Sequence, residues 1–285
     1  MKPAPFVRHV PRTLDEALAI LAAVAPQDGR VLAGGQSLVP IMAFRLAKPA
    51  HLVDINDVED LNRISDDDKT LSIGACVRHA AFHKPVVPGP LGHLLAHVVR
   101  HIAHYPIRTR GTFCGSLAHA DPASEWGLVA ATLDAVIVAK STRGERLIAA
   151  KDFFQGIMST ALADDELLAE VRLPLPAKDA KFGFNEFNRR AGDFAMAAAL
   201  VCYRLQDGKI AEPRIGVGGA EPRPRRIAQA EAALAGKAPN DAAFRAASEI
   251  AANAIDPLED HQTNADYRRD LVRAVVRRAL EHSSQ

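Results

Sequence analysis

The stretch Val31-Leu32-Ala33-Gly34-Gly35-Gln36-Ser37-Leu38 decides how the chain is read, because a short apolar run stops at two glycines followed by two small polar residues. The pattern predicts a strand feeding a tight loop. Glycines lack a Cβ, so the main-chain N–H groups of such a loop can approach a ligand closely, and a concave array of amides suits phosphate oxygens. An ordinary turn after a strand has the same composition, and a lone Gly-Gly does not separate the two readings.

Upstream, Thr13-Leu14-Asp15-Glu16 is a capping box, and Leu14, Ala17, Leu18 and Leu21 share one helical face. Pro26-Gln27-Asp28-Gly29 turns the chain into a strand over 30–33, a helix is expected over 38–46, and a second strand over 51–55. The result is a βαβ-like unit with the glycine loop at the C-terminal end of a strand, where such units bind ligands. A strand over 71–76 and a helix over 91–104 follow the acidic turn at Ser65–Asp68. His93, His97 and His101 lie along one face of that helix at i, i+4 and i+8. With no acidic residue near in sequence, they are expected to form an exposed or interfacial face without a metal.

A second small-residue loop lies in Tyr105-Pro-Ile-Arg108-Thr-Arg110-Gly111-Thr112-Phe-Cys114-Gly115-Ser116. Asp121 and Pro122 are expected as N-cap and first residue of a helix over 121–134. Glu125, one turn in, is placed to accept hydrogen bonds from a polar ring edge; an acid in a first turn also simply favours the helix dipole. Strands over 135–139, 145–149 and 167–173 complete an α+β domain. Pro174-Leu-Pro176-Ala-Lys-Asp-Ala180 reads as a linker. The expected division is 1–177, with subdomains of about 1–56 and 57–177, and then 178–285. Beyond the linker, a strand over 184–189 precedes strands over 195–205 and 209–216, joined at Asp207-Gly208, a hairpin signal. Helices are expected over 223–235, 241–255 and 266–282, the last with Arg268, Arg269, Arg273, Arg277 and Arg278 on a face read as solvated.

With 285 residues the chain can bury a sizeable core. Lys+Arg 35 against Asp+Glu 34 leaves a net charge of +1, which removes any global electrostatic case for nucleic acid or a membrane surface. No apolar run is long enough to insert in a membrane and no cleavable leader follows residues 1–9, so the cytoplasm is the expected compartment. The three cysteines, Cys76, Cys114 and Cys202, are far apart, so neither a disulfide framework nor a Cys-x-x-Cys cluster site is available, and an iron–sulfur centre must be on another chain. Neither Gly-x-Gly-x-x-Gly after a strand nor a Walker loop is present, which disfavours the Rossmann and P-loop readings.

Five motifs in order, Ala33-Gly-Gly-Gln-Ser37, Arg108-Thr-Arg-Gly-Thr-Phe-Cys-Gly-Ser116, Ala120-Asp-Pro-Ala-Ser-Glu125, Arg190-Ala-Gly-Asp-Phe-Ala195 and Tyr267-Arg-Arg-Asp-Leu271, resemble the medium, FAD-binding subunit of the molybdenum hydroxylases. The resemblance is to the carbon monoxide dehydrogenase type, related to the xanthine dehydrogenase flavin domain, and covers essentially the whole chain. It implies an α+β fold with two subdomains gripping FAD in the manner of vanillyl-alcohol oxidase, then a smaller α+β domain of a three-stranded sheet and a helix bundle. It also implies that Ala33, Gly34, Gly35, Gln36 and Ser37 wrap the diphosphate, with Leu32 and Leu38 also counted as cofactor-binding, and that the stretch from Thr112 to Ser116, with Cys114 and Gly115, forms a second clamp. Glu125, Leu168 and Phe194 would then lie near the flavin ring, Phe194 as its aromatic cover, and Ile102 is also expected among the cofactor-binding residues. The family usually has two adjacent glycines in the second loop; Cys114 replaces the first and is read as a packed thiol. Arg108 and Arg110 either add charge or face a partner.

The implied role is electron transfer: a large molybdopterin subunit oxidises the substrate, 2Fe-2S clusters on a small subunit carry electrons on, and FAD discharges them to an external acceptor, so that this chain would hold no substrate-oxidising residues. The implied assembly is a dimer of heterotrimers. A self-contained flavin oxidase and a flavin-free scaffold are the alternatives. Gly34→Val and Gly35→Val are expected to abolish flavin retention by placing side chains where backbone approaches phosphate.

Overall fold

A computed structural model of the chain describes residues 2–261 and 263–284. The first unit runs β1 (Val7–His9), α1 (Leu14–Val24), β2 (Gly29–Leu32), α2 (Leu38–Ala43) and β3 (His51–Asp54). The second runs β4 (Ile64–Asp66), β5 (Thr70–Gly74), α3 (Pro90–Val98), α4 (Tyr105–Arg108), α5 (Phe113–His119), α6 (Glu125–Thr132), β6 (Val136–Ser141), β7 (Gly144–Ala149), α7 (Ala150–Phe153), β8 (Phe154–Gly156), β9 (Ser159–Thr160) and β10 (Leu167–Pro174). The third contains β11 (Lys181–Phe187), β12 (Ala197–Gln206), β13 (Lys209–Gly218), β14 (Arg225–Arg226), α8 (Ala228–Leu234), α9 (Asp241–Ala254) and α10 (Ala265–Ser283).

The first unit is a parallel sheet in the order β1-β3-β2, with Val31 opposite Val53. Its helix α1 starts where the sequence places it, since Thr13 Oγ1 accepts the Glu16 N–H at 3.2 Å. The second sheet is antiparallel, ordered β4-β5-β10-β6-β7. The third is ordered β11-β12-β13-β14, and the β12–β13 hairpin turns on Asp207 and Gly208, with φ of 52° and 72°, the left-handed pair that a two-residue turn needs.

Strand β12 joins the two cores. Ala198, Leu200 and Cys202 face the core shared with the second unit, while Ala197, Ala199, Val201 and Tyr203 face the core under α8, α9 and α10. That explains its seven-residue apolar run: alternate side chains go to opposite faces, and both faces are covered. Helix α6 lies on the first of these faces, buried at every position from Glu125 to Thr132, as a helix apolar all round requires.

Several boundaries differ from the sequence reading. Helix α6 begins at Glu125, because Asp121 Oδ1 takes the Ala123 N–H at 2.9 Å in a local turn and Ser124 Oγ caps the helix through Gly127 N–H at 3.2 Å. The helix expected over 91–104 stops at Val98, and the chain then turns, with Ala103 at φ 42°. Within 223–235, residues 225 and 226 form β14 instead of helix, so the third sheet has a fourth, two-residue strand beside the three long ones. The Arg226 guanidinium there reaches Asp134 and Glu231, which holds the segment extended along β13.

The histidine face is interfacial only at His101 and the edge of the His97 ring; His93 and much of His97 are exposed. His101 Nδ1 lies 3.2 Å from Glu186 Oε1, and the His97 and His101 rings meet Phe184 edge-on. The basic face of α10 is only partly solvated: Arg268 is buried and donates to the Gly219 and Met196 carbonyls, while Arg273 and Arg277 pair with Glu249 and Asp241 of α9. No helix among the described residues is long and apolar enough to cross a membrane.

Candidate functional site

The glycine loop after β2 and the loop into α5 meet face to face. A Cβ added to Gly34 would fall 2.3 Å from the Arg110 carbonyl oxygen and 2.7 Å from Gly111 Cα, so glycine is what allows the two backbones to touch. Gly35 follows with φ of 72°, a left-handed turn that aims the chain into α2. The main-chain N–H groups of Gly34, Gly35, Gln36 and Ser37 find no acceptor among the described residues. A row of unclaimed donors at a strand's C-terminal end, with a helix starting behind it, is chemistry for an anion.

Across from it, Thr112 caps α5 by accepting the Gly115 N–H at 3.0 Å. A Cβ on Gly115 would lie 2.6 Å from that same Thr112 oxygen, so the glycine belongs to the cap. Two further side chains tether the loops. Asn56 donates to the Ala33 carbonyl at 2.9 Å and accepts from Arg78, which also donates to the Arg110 carbonyl. Asp54 anchors Asn56 and is bridged by Arg8; burial pushes its carboxyl up, but the hydrogen bonds from Asn56 and Arg8 outweigh this and hold it below the usual carboxylate range.

Between the loops lies a cleft of about 450 Å³, within the usual size range of ligand sites. A second cleft of about 330 Å³ shares residues 32–36 with it and is lined by Asp54, Asn56 and Arg110. Of the residues singled out in the sequence, 32–38, Thr112, 114–116 and Leu168 line the larger cleft. Ile102, Glu125 and Phe194 do not. Ile102 is buried, and Phe194 is 70% exposed, so it covers nothing within the chain. Glu125 is buried at the start of α6, and burial, followed by the charge of Glu186, pushes its carboxyl up to about 8. It is therefore a protonated acid at neutral pH, able to donate as well as accept.

Cys114 points away from reactivity: its Sγ faces the Ile73 carbonyl at 3.4 Å, and burial, then Cys76 and Glu170, hold its thiol well above the ordinary range. Arg108 donates to the Val99 and Arg100 carbonyls, so it fastens the turn after α3. The sequence reading missed Asn56, Arg78 and His79. His79 lines the cleft, contacts Gly111, and accepts the Trp126 indole N–H at 3.0 Å. The contacts that bring these three in come from segments separated in sequence, so no local pattern announces them.

The donor set fits the diphosphate of FAD: amides at closely apposed loops, hydroxyls at 37, 112 and 116, and an apolar wall at Leu38 and Leu168. Comparison with known proteins gives the same direction. Residues 4–176 match the family described as FAD binding domain in molybdopterin dehydrogenase, and residues 182–283 match the CO dehydrogenase flavoprotein C-terminal domain. The chain is 37% identical to the nicotine 6-hydroxylase medium subunit of Paenarthrobacter nicotinovorans, over 97% of this chain and 96% of that one. Its fold superposes on carbon monoxide dehydrogenase from Hydrogenophaga pseudoflava with a TM-score of 0.95 at 34% identity, and on quinoline 2-oxidoreductase from Pseudomonas putida 86 with 0.93 at 35%, covering 100% of this chain and 99% of each.

Proposed function

As the chain belongs to the FAD-binding medium subunits of the molybdenum hydroxylases, with the carbon monoxide dehydrogenase flavoproteins among its relatives, we propose that it binds one FAD across its two glycine loops and relays electrons through it inside a larger complex. The observation that carries this is the unclaimed row of N–H groups from Gly34 to Ser37 facing the capped start of α5. When bound, FAD supplies the conversion between one-electron delivery and two-electron exit. The chain's own residues bind and orient: residues 32–38 and Thr112, Cys114, Gly115 and Ser116 hold the diphosphate end, and Leu168 gives an apolar wall. Ile102, Glu125 and Phe194 serve the ring end, Phe194 through its exposed aromatic surface.

The electrons come from 2Fe-2S clusters on a small subunit, fed by a large molybdopterin subunit, in a dimer of heterotrimers working in the cytoplasm. The chain itself divides near residue 177 into the FAD-binding part and a C-terminal part. A self-contained oxidase fits less well, because α6 packs on one face of β12 and β13 and α8 and α10 pack on the other. Reconstitution of the purified, deflavinated chain tests the reading. It is expected to take up about one FAD per chain with the usual flavin absorption bands, and Gly34→Val is expected to lose it by forcing the loops apart. A folded wild-type chain that binds no FAD overturns the proposal.

A further inference from the structure

His79 sits where no motif places a ligand-binding residue. It follows β5 by a short segment and leads a 3-10 turn, with its main-chain N–H on the Gly111 carbonyl at 2.9 Å. Its ring lies against Gly111 so closely that a Cβ there would fall 2.5 Å from Nε2. The residue is 4% exposed, and the surface it keeps belongs to the cleft between the glycine loops.

The protonation pattern of the ring follows from its neighbours. An indole N–H only donates, and Trp126 Nε1 lies 3.0 Å from His79 Nδ1, so Nδ1 must carry the lone pair. Trp126 cannot move to suit another arrangement, since it is fully buried and stacked on Phe113 at 4.7 Å between ring centres, with Phe82 at 5.2 Å. Burial, then the charges of Arg108 and Arg78, push the imidazolium form down to about 3, so the ring is neutral at working pH. A neutral ring with its lone pair on Nδ1 has its hydrogen on Nε2. That N–H has no acceptor among the described residues. Unlike the buried, unpaired ring nitrogen of His83, Nε2 of His79 keeps accessible surface, and the cleft that His79 lines is where an acceptor can reach it.

We propose that His79 is a cofactor-binding residue, whose Nε2–H, fixed on that nitrogen by Trp126, donates to an oxygen of the FAD diphosphate where the two glycine loops meet. The assignment rests on the FAD reading above. It also gives the loops a neutral side-chain donor beside their main-chain amides, one that does not switch off as the pH rises through the range where ordinary histidines lose their charge.

Two conservative variants separate donor from shape. In His79→Gln the amide oxygen can accept from Trp126 while the amide nitrogen reaches the cleft; in His79→Asn the shorter side chain can accept from Trp126 but cannot reach the cleft. FAD titration of the deflavinated full chain is expected to show affinity weakened about tenfold by H79N and restored to within about threefold by H79Q. Melting without FAD reports the structural share separately. Equal FAD affinity of H79N and wild type overturns the assignment, as does an H79Q chain as weak as H79N. Nitrogen NMR of the wild-type chain carrying labelled histidine needs no variant: Nε2 is expected to be the protonated nitrogen and to shift on FAD saturation, and an unmoved Nε2 also sinks the idea. If the wild-type chain binds no FAD at all, it is the functional reading that falls.

Discussion

Gly34 and Glu125 show how differently a residue can be used from what its type suggests. Sequence logic assigns Gly34 to phosphate approach, but its missing Cβ faces the Arg110 carbonyl, so its first duty is loop against loop. Glu125 reads as a helix-dipole acid or a flavin acceptor, yet it is buried beside Glu186 with its carboxyl up to about 8. The sign follows: folding favours the protonated acid, so no penalty exists below the ordinary glutamate range. The penalty grows as the unfolded chain ionises above about pH 4.5 and is complete above about pH 8. Glu125→Gln in the flavin-free chain is thus expected to lie close to wild type near pH 5 and to be more stable by about 4 kcal/mol near pH 8, read as a rise in denaturation midpoint. A constant difference between the variants across that range would refute the buried-acid account.

At the scale of elements, the strand–loop–helix unit of β2 and α2, the α1 cap and the β12–β13 hairpin were legible because each is written in contiguous residues with one physical meaning. The start of α6 was not, since Asp121 spends its side chain on a turn and leaves Ser124 to cap, and a sequence shows two good caps without ranking them. The tether formed by Asn56 and Arg78 and the donor on His79 depend on segments brought together only by the fold. The same separation applies to α5: the sequence reads residues 112–116 as a loop, and neither the helix that Thr112 caps nor the room that Gly115 leaves for that cap was legible in it. Thr112→Ala is expected to cost about 1 kcal/mol of stability and to weaken FAD retention, with Thr112→Ser close to wild type. Retention of FAD by T112A equal to that of wild type, with the stability loss present, would show that the cap supports the helix but not the clamp.

For the whole molecule, the decisive contact is that of α6 with the C-terminal sheet, because α6 follows the α5 clamp and lies against β12 and β13. Asp134, just past α6, meets both Arg214 and Arg226 of that sheet. At the centre of the contact a Cβ on Gly216 would fall 1.8 Å from Thr132 Oγ1, which itself donates to the Leu128 carbonyl at 2.7 Å. Sheet and helix therefore approach at a distance that only this glycine permits. Gly216→Ala is expected to destabilise the chain by about 1–3 kcal/mol through overpacking, and Thr132→Ala by about 1 kcal/mol through the lost packing of a fully buried side chain. Because T132A vacates the space that G216A fills, the double variant should be less destabilised than the sum, by about 1 kcal/mol, in a denaturant-unfolding cycle. Strict additivity would mean that the two side chains do not share that space, and that α6 is held to the C-terminal sheet by the Asp134 ion pairs instead.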